Sequence, residues 1–178
     1  MPWLSRPLNG NNMRVIKLGL ISVFVLMVIA TAIGLLLPAT VLVSRAVNIK
    51  SRKAPVYELV TDLRNWTSWV EGMKDSSVKV ESATVAQMGK IRMVVTDKTD
   101  STLQMTWQLA NGVVQQSTIR LITDASEQIT VVQWQFVQQL NWYPWERFGS
   151  MMNDKIIGGL MEKNLLNLQQ KIEQSINN

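Results

Sequence analysis

Residues 154–176 read DKIIGGLMEKNLLNLQQKIEQSI, and residues 129–140, a little upstream, read ITVVQWQFVQQL. The two stretches carry different periods. In the first, Ile157, Met161, Leu165, Leu168 and Ile172 recur at helical spacing and make one apolar stripe. In the second, Val132, Trp134 and Phe136 alternate with Gln133 and Gln135, the period-2 pattern of a strand with one buried and one wet face. A helix with one apolar stripe beside a sheet with one apolar face predicts that the two pack on each other.

Working outward, residues 78–85, 91–96, 103–109 and 113–122 also alternate and are separated by Gly, Asp, Asn and Ser clusters. Leu103, Met105, Trp107 and Leu109 share one face. These segments predict an antiparallel sheet in an α+β domain. Further upstream, residues 41–49 (VLVSRAVNI) read as a first strand leading into a turn. A short helix begins near Pro55 and covers residues 56–63, and a second helical turn is expected to hold Trp66 and Trp69. Internal repeats and low-complexity stretches are absent.

Residues 18–37 (LGLISVFVLMVIATAIGLLL) form a twenty-residue run without a charge. At 1.5 Å per residue such a helix is about 30 Å long, the thickness of a hydrocarbon core. Pro38 closes the run. The expected organisation is a basic tail over residues 1–17, a transmembrane anchor over 18–37 and a domain over 41–178. A cleaved signal peptide is the rival reading, because Ala30-Thr31-Ala32 offers small residues at cleavage spacing. Five more apolar residues follow it, so cleavage there would leave an apolar new terminus. Ala30 and Gly34 form one small-xxx-small pair of the kind that supports helix pairing.

The composition of the 178 residues, 47% hydrophobic and 17% charged, is that of a folded chain. The formal net charge of +5 is carried by the flanks of the apolar run. Arg6, Arg14 and Lys17 precede it, and Arg45, Lys50, Arg52 and Lys53 follow it before the first acid, Glu58. That placement fits a bilayer with anionic head groups and argues against nucleic acid. The acid-free tail favours a cytoplasmic N-terminus, with the domain exported across a bacterial inner membrane. Met13 is an alternative start. Cysteine and histidine are both missing, which removes disulfides, thiolate chemistry, the commonest general base and the commonest metal ligand.

Several motifs together resemble the SRPBCC proteins, the START-like, polyketide cyclase/dehydrase-like or helix-grip superfamily. At the start of the domain these are Leu37-Pro38, Ser44-Arg45-Ala46-Val47-Asn48-Ile49, Ala54-Pro55-Val56-Tyr57, Thr61-Asp62-Leu63-Arg64-Asn65-Trp66, and Trp69. At its end they are Val132-Gln133-Trp134-Gln135-Phe136, Asn153-Asp154-Lys155-Ile156-Ile157-Gly158, and the run from Gly159-Leu160 to Leu168. The likeness covers residue 37 onward and is nearest to members with an N-terminal membrane helix. It implies a curved antiparallel sheet wrapped around a long C-terminal helix, with a hydrophobic cavity between them. The stretch between the Trp-bearing helix and the middle strands, residues 73–90, is shorter than the family's. That implies a shortened or missing hairpin and a reduced cavity.

Candidate site residues follow. Trp66, Trp69, Met105, Trp107 and Trp134 fit the core and cavity wall, and some of them would face a ligand. Trp142-Tyr143-Pro144-Trp145 lies in the turn before the last helix, which borders the cavity mouth in the resembled family. Trp142 and Trp145 there would either dip into the bilayer interface or pack on the first strand. Met151 and Met152 beside them suit an adaptable apolar opening. Glu58 and Asp62, four residues apart, have metal-ligand spacing, but a solvated helix face with Asp62 near Arg64 is the simpler reading. No catalytic residue, metal or cofactor is assigned. Three functions compete: a membrane-tethered binding module for a lipid or other apolar molecule, an accessory subunit of a membrane complex, and a cyclase or hydrolase supported by family analogy alone.

Overall fold

In the computed structural model, which describes residues 10–126, 128–150 and 152–176, the apolar run lies within one long helix, α1 (Gly10–Leu36). Residues 13–36 of it are long and apolar enough to cross a membrane, and only 6% of their most apolar window is buried. Of the basic tail expected over residues 1–17, residues 1–9 with Arg6 lie outside the described residues, and residues 10–17 form the first turns of α1 instead. Then follow β1 (Thr40–Ile49), α2 (Lys53–Thr61), α3 (Leu63–Trp66), β2 (Val78–Val80), β3 (Val85–Met88) and β4 (Ile91–Lys98). The chain continues through β5 (Thr102–Gln108), β6 (Val114–Thr123), β7 (Thr130–Gln139), α4 (Pro144–Ser150) and α5 (Asn153–Ile176).

Among the described residues the strands form one curved seven-stranded antiparallel sheet in the order β1-β7-β6-β5-β4-β3-β2. Register follows the alternation. Val132, Trp134 and Phe136 on β7 stand opposite Val47, Arg45 and Val43 on β1, and all three point inward and are buried. The concave face grips α5 through Met161, Leu165, Leu168 and Ile172, each no more than 2% exposed. Burial of four such side chains stabilises the pair by several kcal/mol, at about 1.5–3 kcal/mol each.

Three local expectations need correction. Ile157 is only half-buried, and Gly158 takes its place in the buried stripe. The first turns of α5 pass directly over Arg45, whose guanidinium occupies the space a Cβ at Gly158 would need. Residues 78–85 are not one strand. Ser82 breaks them by accepting the backbone N–H groups of Thr84 and Val85, at 3.2 and 3.0 Å, so that β2 and β3 form a short hairpin. Trp69 lies beyond α3, in a turn whose N–H groups at Trp69 and Val70 both return to the Trp66 carbonyl.

The middle hairpins are short and present. Gly89, at φ +59°, makes the two-residue turn joining β3 to β4. Of the Ala30–Gly34 pair, Gly34 packs on α4 of the same chain. Gly34 is buried against Pro144, and Ala30 is half-buried one turn earlier.

Candidate ligand-binding interior

Four tryptophans meet at the centre of the domain. Trp66 comes from α3, Trp69 from the turn after it, Trp107 from β5 and Trp134 from β7, and none is more than 8% exposed. Ring centroids are 5.1 Å apart for Trp66–Trp69, 5.5 Å for Trp66–Trp134, 6.0 Å for Trp69–Trp134 and 6.3 Å for Trp66–Trp107. Phe136 extends the cluster, 5.2 Å from Trp107 and 5.6 Å from Trp134. These are the tilted and edge-on contacts that aromatic pairs favour. Met105, at 1% exposure, is buried in the same core. The space between these rings is occupied by the rings themselves.

The fate of each indole N–H separates the four. Trp66 donates to the Val60 carbonyl at 2.8 Å and Trp69 to the Leu59 carbonyl at 3.2 Å, which ties both to the last turns of α2. Asn167 of α5 holds the Trp69 carbonyl, and Asn164 accepts the Glu71 N–H. Trp107 donates to the buried Ser117 hydroxyl on β6 at 2.8 Å. The Trp134 indole N–H is buried and meets no acceptor among the described residues. A buried donor left unsatisfied costs about 1–3 kcal/mol.

Polar side chains enter this interior at one end. Gln115 on β6 and Gln138 on β7 face inward side by side, and the Gln115 amide donates to Gln138 Oε1 at 2.9 Å. Together with Val41, Val43, Phe136 and Ile157 they line a small space of about 10 Å³. This is the end of the sheet at which β1 emerges from α1. A groove of about 260 Å³ lies at that junction, lined by Leu37, Pro38, Thr40, Val41, Arg147, Ser150 and Asp154. Val41 borders both spaces. Arg45 and Asp154 form an ion pair across the groove's margin at 3.1 Å.

Trp142 and Trp145 do not join the interior. They stand exposed at and just before the start of α4, Trp145 stacked on Tyr143 and Trp142 tilted against it, while α4 itself packs on the end of α1. Met151 lies outside the described residues. The Asp62 carboxylate is taken up by Arg64, its guanidinium at 2.6 Å, and that hydrogen bond holds the carboxyl below the usual carboxylate range. The sequence reading passed over Gln115, Ser117 and Arg147. Gln115 and Ser117 share the face of Ile119 and Leu121, so two polar residues on a buried strand face were the available signal.

A strongly curved antiparallel sheet closed by one long C-terminal helix defines a START-like, helix-grip protein. The chain belongs to the polyketide cyclase / dehydrase and lipid transport family, whose model matches residues 40–173. Similar solved structures include a START superfamily protein from Mycobacterium smegmatis, with 15% identity and a TM-score of 0.57, covering 75% of this chain and 97% of that one. A protein from Thermobifida fusca has 15% identity and a TM-score of 0.59, covering 75% and 93%. One from Bacillus thuringiensis has 16% identity and a TM-score of 0.56, covering 74% and 98%. At these identities the likeness concerns the fold. No curated protein matches the sequence.

Proposed function

We propose that this protein is a membrane-tethered module that binds a lipid or another apolar molecule between its sheet and α5. The observation that carries the reading is the position of Val41. It borders both the small space at the polar end of the interior and the groove where α1 meets the sheet. An acyl chain arriving from the bilayer at the end of α1 would enter there. Its polar end would meet Gln115 and Gln138. An apolar interior with a few placed polar groups is the usual make-up of such sites. Because the rings fill the interior of the closed form, entry requires those of Trp107 and Phe136 to swing aside. The family's association with lipid transport supports the assignment. Binding rather than catalysis is assigned, in keeping with a chain that carries neither histidine nor cysteine.

A second reading is favoured by the filled interior itself. A domain whose cavity is closed by tryptophans would serve as a docking subunit of a membrane complex. Mass spectrometry of the gently purified full-length protein separates the two. The binding reading expects a stoichiometric lipid in the wild type, lost in Val41→Trp at unchanged thermal stability. Wild-type protein that carries no lipid above the variant's level sinks the binding reading and promotes the docking one.

A further inference from the structure

Helix α4 is joined to the last two turns of α1 by more than proximity. A Cβ on Gly34 would sit 3.1 Å from the Pro144 Cα, so the two backbones touch. Arg147, only 8% exposed, donates through Nη1 to the carbonyls of Gly34, Leu35 and Leu37 at 3.1, 3.4 and 2.5 Å, and through Nε to that of Asn141. Carbonyls at a helix C-terminus lack partners within the helix, and a cation there is also favoured by the helix dipole. One guanidinium therefore ties two segments that lie 110 residues apart.

Helix α4 and the residues flanking it present bare apolar surface. Trp142, Trp145 and Met152 are 57%, 63% and 56% exposed, and Ile156 and Leu160 continue from Met152 along successive turns of α5, each more than half exposed. Soluble surfaces rarely keep such a patch uncovered.

We infer that α4 is a second membrane element: latched to the end of α1 by Arg147, it sets Trp142, Trp145 and Met152 in the head-group layer. The inference rests on the reading of α1 as a membrane span. Gly34, which touches Pro144 of α4, lies in the last turn of the span. That places α4 beside the final turns of the span. Tryptophan and tyrosine are the side chains that this layer prefers, with an apolar ring body and a polar N–H or O–H. The same latch fixes the domain with its Val41 groove toward the bilayer.

The chain has no cysteine, so single spin labels are introduced without background. Full-length protein in phospholipid vesicles carries a label at Trp145→Cys or Met152→Cys. Controls are Val25→Cys within α1 and Gln128→Cys in the β6–β7 turn, at the sheet end remote from α1. The expected result is a collision ratio of oxygen to an aqueous nickel chelate several-fold higher at 145 and 152 than at 128 and clearly below that at 25, which lies mid-span. Arg147→Met, and independently Gly34→Leu, should lower the ratio at 152 toward that at 128 with an unchanged circular dichroism spectrum. Labels at 145 and 152 as aqueous as at 128, with 25 still lipid-buried, overturn the inference and make the patch a protein-docking surface. An aqueous label at 25 overturns the membrane span instead. A ratio at 152 unmoved by either variant overturns the role of the latch.

Discussion

Asp62 closes α2 and opens α3. Its carboxylate accepts the backbone N–H of Arg64 at 2.9 Å and receives the same residue's guanidinium. Capping by an acid at this position is worth about 1 kcal/mol, and the exposed ion pair adds less. Asp62→Ala should therefore lower stability in urea by about 1 kcal/mol near neutral pH. Because the hydrogen bond from Arg64 depresses the folded-state pKa, the contribution is complete above the unfolded carboxyl's pKa of about 4. It is lost as the pH falls through the lower folded value. The difference between wild type and variant should shrink in strong acid, and a difference constant with pH would contradict the assignment. The Asp62–Arg64 contact was legible in the sequence because two residues of chain fix it. Arg147 was not, since its acceptors on α1 and just after it are backbone carbonyls at least 110 residues away and carry no residue code.

At the scale of elements, α5 is held by its buried stripe. Leu165 is 1% exposed and its neighbour Leu166 is 46% exposed, so the two leucines separate packing from propensity. Leu165→Ala should cost about 2–5 kcal/mol. Leu166→Ala should stay within about 0.5 kcal/mol, and equal effects in denaturant melts would mean that the register of α5 is wrong. Helical period alone placed Met161, Leu165, Leu168 and Ile172 correctly. It could not place the first turn, where the approach of α5 to Arg45 selects Gly158 over Ile157. The strands were legible wherever one face is buried along their whole length, as in β5 and β7. They were not at β2 and β3, where a side-chain hydroxyl at Ser82 competes with the ladder. For the interior, the apolar faces indicated which tryptophans point inward. Whether those rings line a space or fill it depends on rotamers set by neighbours from α2, β6 and α5, and a strand pattern holds no record of them.

For the whole molecule the question is where an apolar chain would lie. The groove at Leu37–Val41 lies at the end of helix α1, and the space beside Gln115 and Gln138 shares Val41 with it. The aromatic turn at Trp142 and Trp145 stands beside that groove on α4. The most direct test of the binding account uses a phospholipid with a diazirine near the end of one acyl chain. Full-length protein is reconstituted with it, irradiated, and the labelled peptides are mapped by mass spectrometry. The account predicts adducts on β1 at Val41 or Val43 and on β7 at Phe136 in addition to those on α1, and their loss in Val41→Trp. Adducts confined to α1 and the Trp142–Trp145 turn would contradict it, because lipid would then touch the outside of the domain and never its interior.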